Sequence, residues 1–334
     1  MKIKESTNSL FKGNKIYSSK SSGIGIKNGG GIFENNEIYE NQRSNIHISS
    51  GGSAILRNNK IRDSQQCGVL FTDSGCALLE YNEISNNQLA NVEVLKGGNP
   101  KLVGNSIHHS KASGVFFWEA QGVLRDNEIF ENVSSAVKIR ANSNPILVKN
   151  RIHSGLSSGI VVDHSKGAFQ DNQIHSNKLA GIIIRNHANP VLIQNQIYNG
   201  CECGILVHHD GAGIIEENQI YNNQLAGVEI RNDGKPTLIR NRIFNGTTGV
   251  LILDSGSGLL NDNEIYNNVT GISTVGDCSV YMLHNKVYNN YSDIDNHHLP
   301  LSQSVSPAND QIDGDAANDL PSMLHSLDSI PLPL

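Results

Sequence analysis

Phe116 and Trp118 stand one residue apart in a stretch of alternating polarity. The same offset in the stretches that follow carries Lys138 and Arg140, Asp163, Arg185, His208, then Glu229 and Arg231. Aromatic rings beside a column of guanidinium groups suit a sugar chain or an acidic peptide, the rings through their faces and the arginines through paired N–H bonds. Opposite charges on neighbouring strands also neutralise one another, so Arg140, Asp163 and Arg185 read equally well as an internal charge column. Catalysis is a separate question. A glycosidase needs two carboxylates within about 5 to 9.5 Å. Glu93, Asp163 and Glu229 are three repeats apart from one another, roughly 14 Å at a strand spacing of ~4.8 Å. No catalytic residue is assigned on that geometry. His208-His209-Asp210 places adjacent side chains on opposite sides of a strand, and no Cys/His pair at finger spacing supports a metal, so neither metal nor cofactor is expected. Asp73, Glu119, His164, His209, Asp210 and Asp254 read as solvated loop polarity.

These residues are positioned by a repeat. Asn-x-Ile/Val recurs at Asn14, Asn36, Asn59, Asn82, Asn105, Asn127, Asn150, Asn172, Asn195, Asn218, Asn241, Asn263 and Asn285, thirteen copies 22 or 23 residues apart. A second landmark follows nine residues later in most units, usually Gly before an aliphatic, as at Gly68, Gly114, Gly159 and Gly204. Within a unit the polarity alternates with period two, never 3.6, as in Val228-Glu229-Ile230-Arg231. Each unit therefore holds three short strands: Thr237–Ile239, Arg242–Phe244 and Val250–Leu253 in one example. The expected fold is all-β, a right-handed parallel β-helix of about 12 coils, each burying its aliphatics against its neighbours. The Asn column reads as a structural ladder whose Asn residues also take the left-handed backbone of a sharp corner. Asn99-Pro100, Asn144-Pro145, Asn189-Pro190 and Lys235-Pro236 add a two-coil period of 45 or 46 residues.

The double unit seen in Ala226–Arg231, Lys235–Gly246 and Asn263–Asn268 resembles the β-helix region of the F-box-only substrate receptors of SCF ubiquitin ligases. More broadly it is similar to the carbohydrate-binding and sugar-hydrolase repeats of pectin-lyase-like proteins. The resemblance spans residues 9 to 290 and implies a non-enzymatic protein-recognition scaffold whose Arg- and aromatic-lined face grips a protein or acidic peptide. No F-box precedes the first strand and no Cys/His-rich finger follows the last, so only the substrate-gripping part is implied. The alternative is a carbohydrate-binding or polysaccharide-processing β-helix with an oligosaccharide partner, Asp163 and His208 then being the acid–base candidates.

Composition narrows the field. Of 334 residues 42 are Asn and only 5% are aromatic, unlike an ordinary packed globule. Residues 293 to 334 carry seven Asp and no Lys or Arg, leaving a nearly neutral body, which argues against nucleic-acid and membrane partners. Five cysteines, with Cys201 and Cys203 too close for an ordinary disulfide, fit a reducing compartment. Met1–Leu10 lacks the layout of a secretory leader, so a cytoplasmic location is expected, in the cell of origin or after delivery into a host. Four Asn-x-Ser/Thr sequons (Asn132, Asn245, Asn268, Asn290) are then by-products of an Asn-rich repeat. The expected divisions are a lead-in at 1–8, the β-helix at 9–291 and a Pro/Ser/Asp-rich segment at 292–334, with a short amphipathic helix over Asp319–Leu327.

Overall fold

The computed structural model describes residues 1–4 and 9–297. The chain divides into a unit of Met1–His298 and a second of Leu299–Leu334. The helix expected over Asp319–Leu327 and nearly all of the segment 292–334 lie outside the described residues.

Alternation of one inward and one outward side chain lets a strand be wet on one side and dry on the other, and a 22- or 23-residue period returns every strand to its own place one level up. The first unit is accordingly a right-handed parallel β-solenoid of about 13 turns, with no helix among the described residues. Sheet one has 14 strands, from Lys2–Lys4 to Ser292–His297; sheet two has 13, from Leu10–Lys12 to Ser279–Leu283; sheet three has 13, from Lys15–Tyr17 to Lys286–Tyr288. All pairings are parallel, so a column such as Ile174↔Ile197↔Ile220 runs along the axis. Pairing starts earlier and ends later than the 9–291 expected. Lys2–Lys4 pairs with Ile24–Lys27 because Ile3 fills the inward position between two exposed lysines, and Ser292–His297 pairs with Thr270–Val275.

The core is the column of inward side chains. The isoleucine of Asn-x-Ile is at most 1% exposed from Ile38 to Ile265, and Phe33, Phe71, Phe117 and Phe169 are its largest members. Each such burial contributes about 2–3 kcal/mol against an unfolded chain.

The asparagine of the motif faces inward beside that isoleucine. Asn127 donates from both its backbone N–H and its Nδ2 to Asn150 Oδ1, at 3.1 and 3.0 Å, and from Nδ2 to Leu102 O at 2.9 Å. The pattern repeats from Asn14 to Asn285. The left-handed backbone, however, belongs to the residue before each ladder Asn: Asn35, Asn58, Tyr81, Lys149, Gln194 and Arg240 all have φ near +50°. The amide has to point inward to reach its neighbours, and the turn is made one residue earlier, where the side chain is in solvent and residue type matters less.

A second ladder lies at the next corner. Asn41, Asn87, Asn132, Asn177, Asn223 and Asn268 alternate with Ser64, Ser110, Gly155, Gly200 and Gly246, whose N–H groups donate to the next Asn Oδ1. The two-coil period thus has a structural cause beyond the prolines. Three of the four sequon asparagines, Asn132, Asn268 and Asn290, are ladder members. At the landmark, a Cβ on Gly159 would come 2.6 Å from Gly181 O, so glycine there allows the coils to close up.

Candidate functional site

Sheet one carries the sequence-expected site on its outer face. Trp118, Arg140, Asp163, Arg185 and His208 are register partners in five consecutive strands, with Phe116 and Lys138 in the parallel column. Trp118 is 38% exposed and its ring lies 6.3 Å from that of Phe116, tilted by 58°. Arg140 Cζ sits 5.5 Å from the Trp118 ring centre, a cation–π contact that holds the guanidinium at the rim of the aromatic step.

Asp163 departs from the expectation of an exposed column, being 1% exposed. Arg185 donates from Nη2 and Nε to Asp163 Oδ2 at 2.9 and 3.2 Å, and Arg140 Nε is 3.5 Å from the same oxygen. Oδ1 is met by Asn186 Nδ2 at 2.9 Å and His164 Nδ1 at 2.8 Å. Burial pushes this carboxyl up, but the bonds from Asn186, His164 and Arg185 outweigh it and bring it down to about 2. A carboxylate so fully engaged is a weak base; its role is to lock two arginines in place. Val161 and Leu206, two residues before Asp163 and His208 on the same strands, are buried as well. With Ile183 they form an unbroken apolar run in the column between Lys138 and Glu229.

Lys138 has its pKa lowered by burial first, then by Arg140 and Arg185. His208 is brought down to about 4 by burial, then by His209, Arg231 and Arg185, so its imidazole is neutral at pH 7. It contacts His209 ring to ring. Glu229 accepts from Cys203 Sγ at 2.9 Å and lies 3.2 Å from Arg231 Nε, whose N–H is not aligned with it. The charge pairing is present but partial: Asp163 satisfies Arg140 and Arg185 in part, and each arginine keeps more than a third of its side chain in solvent.

Glu93 lies between Leu70 and Phe116 in its column, and burial raises its pKa. No cluster of His, Cys, Asp and Glu suited to a metal occurs among the described residues. The loop residues Asp73, Glu119, His164, His209, Asp210 and Asp254 all have positive φ, as corner residues do. The five cysteines are free thiols.

One feature was missed from sequence. The residue after each Asn-x-Ile faces outward from sheet three, and from His108 to Tyr288 nine consecutive coils place a ring there: His108, Phe130, His153, His175, Tyr198, Tyr221, Phe244, Tyr266 and Tyr288. Successive centroids are 4.7 to 5.3 Å apart and the rings are stacked, with planes within 23° of parallel. The signal was present as Asn-x-Ile-Tyr/Phe/His, but His, Tyr and Phe share no polarity class, so a polarity pattern hides them.

With this geometry the chain is a member of a recognised class. A family model described as a right-handed beta helix region matches residues 2–75, 44–197 and 180–305, and the chain belongs to that family. Among solved structures it is similar to the periplasmic alginate epimerase AlgG, 15% identical over 77% of this chain and 76% of that one, TM-score 0.62. It is also similar to a mannuronan C-5 epimerase A-module from Azotobacter vinelandii (11%, 77% and 91%, TM-score 0.55). A third is the catalytic unit of a GH87 alpha-1,3-glucanase from Streptomyces thermodiastaticus (12%, 85% and 64%, TM-score 0.56). At these identities the likeness is one of fold. No curated protein gives a match. These neighbours correct the expectation of a ligase-type recognition scaffold with a protein or peptide partner: these three solved structures are two epimerases and a glucanase. The F-box-only resemblance rested on the ladder and landmark residues that any such stack needs.

Proposed function

We propose that the chain is a carbohydrate-binding or polysaccharide-processing β-helix that holds an acidic sugar chain along sheet one, between Phe116 and Arg231. The observation that carries this reading is the half-open Phe116/Trp118 step continuing into guanidinium groups pre-aligned by Asp163. A sugar face lies on the indole while a carboxylate one or two residues along meets Arg140 or Arg185. Lys138, Arg140, Arg185 and Arg231 outnumber Asp163 and Glu229, which favours an anionic over a neutral chain. His208 is neutral at pH 7 and takes a proton only as the pH falls toward about 4, and Asp163 only lower still, toward about 2. The spacing of Glu93, Asp163 and Glu229 does not supply a hydrolase pair.

Trp118 is the single tryptophan, so its emission reports this site alone. Titration with acidic and neutral oligosaccharides should change that emission with acidic chains and lose the effect in Arg140→Glu/Arg185→Glu. A parallel screen for reducing ends and unsaturated sugars separates binding from turnover. Unchanged emission and no turnover with any glycan would reject the proposal.

A further inference from the structure

The coil stack has two open ends among the described residues, and they are unlike each other. Interior columns that are 0–1% exposed in the middle of the rod are only partly buried at Phe11 and Ile16 on one end and at Met282 and Val287 on the other. Ile294, at an inward position of the last strand, is 47% exposed. Open strand edges backed by apolar side chains are templates for further pairing.

The ends are matched column by column. Continuing the register of the three sheets by one step sets the first coil of a second copy on the last coil of the first. Phe11 then covers Met282, Ile16 covers Val287, and exposed Leu10 meets exposed Tyr281. The Asn ladder is directional: each Asn backbone N–H donates to the next Oδ1. Asn285 N–H has no acceptor among the described residues, and Asn14 Oδ1 has no donor among them. One more step joins the two.

The ring columns match in the same way. Tyr288 stacks on Tyr266 and Tyr17 on Tyr39, each leaving its outer face uncovered among the described residues, and the step brings Tyr17 onto Tyr288. In sheet one Lys2 comes to lie over Asp295. Around the first coil Lys2, Lys4, Lys12 and Lys15 are exposed, while the last coil carries Asp277, Asp293 and Asp295. Three positions in the register oppose the fit: Ile3 falls over Asn296, Lys4 over His297, and Lys15 over Lys286, whose ammonium groups are well exposed and already paired, with Glu37 and Glu264.

We infer that copies of this chain associate head to tail, the Lys2–Tyr17 end of one seated on the Ser279–His297 end of the next. Such a contact is heterologous, so it does not close on itself and builds rods of two, three and more copies. The second ladder does not take part, because Asn290 N–H and Nδ2 already donate to Asp293 Oδ1 within the chain.

The test is sedimentation velocity of the full chain over a range of concentration at low and high salt. The expectation is concentration-dependent growth that weakens as salt rises. Lys2→Glu/Leu10→Lys blocks one end and Tyr281→Lys the other; each alone should weaken self-association about tenfold or more. An equimolar mixture of the two should form a discrete 1:1 dimer, since one good end of each kind remains. Carbodiimide crosslinking of mixed light and heavy wild-type chains should join Lys2 to Asp295 between molecules, a readout that does not depend on any variant folding. A full chain that stays monomeric at millimolar concentration overturns the inference, and residues 298–334 seated on that end would show up as this outcome. Variants that associate as the wild type does, or an absent intermolecular Lys2–Asp295 link, overturn it equally.

Discussion

Asp163 is a carboxylate carried on an outer sheet face yet shut away from water, and its partners decide both its charge and its use. Its folded pKa of about 2 lies below the ordinary 3.8, so the unfolded chain binds the proton more readily. Its stabilising contribution is therefore present above pH 3.8 and lost as the pH falls toward 2. Asp163→Asn should cost about 2 kcal/mol at pH 7, because Arg185 and Arg140 lose their shared acceptor, and should flatten that acid limb; chemical denaturation from pH 2 to 7 measures both. Trp118 is the opposite kind of residue, 38% exposed, with Phe116 and Arg140 against its ring and Leu95 beside it in register. Trp118→Ala should leave the melting temperature within a few degrees of wild type and weaken binding of an acidic oligosaccharide about tenfold, measured by calorimetry.

At the scale of the element, the coil is stabilised by what stands above and below it. Asn172 accepts from Asn150 N–H and Nδ2 and donates to Leu147 O and Asn195 Oδ1. Asn172→Ala leaves several buried polar groups without partners and should cost about 3 kcal/mol or more in a denaturant titration. Asn14→Ala, at the exposed end, should cost well under half of that. The ring column adds a pH dependence of its own. His175, packed between His153 and Tyr198, is held down to about 4 by burial, then by His153 and Arg151. A histidine whose folded pKa is depressed binds its proton more readily when unfolded, so stability falls as the pH drops from about 6.5 toward 4. His175→Phe keeps the ring and removes the proton; its stability should vary less than wild type across that window.

For the solenoid unit as a whole, a stack of nearest-neighbour coils has no centre that holds the rest, so stability is set by position along the stack. Amides of the middle coils, around Ile139 and Ile160, should exchange with solvent far more slowly than those of Ile3, Ile272 and Ile294. Uniform protection along the rod would contradict a stack whose ends are open. Concentration-dependent slowing confined to the two ends is what head-to-tail contact requires. The face from Phe116 to Arg231 lies on interior strands of sheet one, away from both ends of the stack.

The β-solenoid was legible in the chain because its period is written many times over. Thirteen Asn-x-Ile/Val units and a period-two polarity leave little else that buries the isoleucines and satisfies the amides. The columns on sheet one were legible for the same reason, since a fixed offset within a repeat becomes a line on the surface. What tertiary structure decided is everything that depends on two coils at once. Asp163 is buried because Arg140 and Arg185 close over it from the strands on either side, and no property of Asp163 alone announces that. The left-handed residue is the one before the ladder Asn because the amide must turn inward to meet the next coil. The nine-ring stack and the second ladder mix residue types that share a shape or a hydrogen-bonding group but no hydropathy, so only their stacking in space makes them one feature.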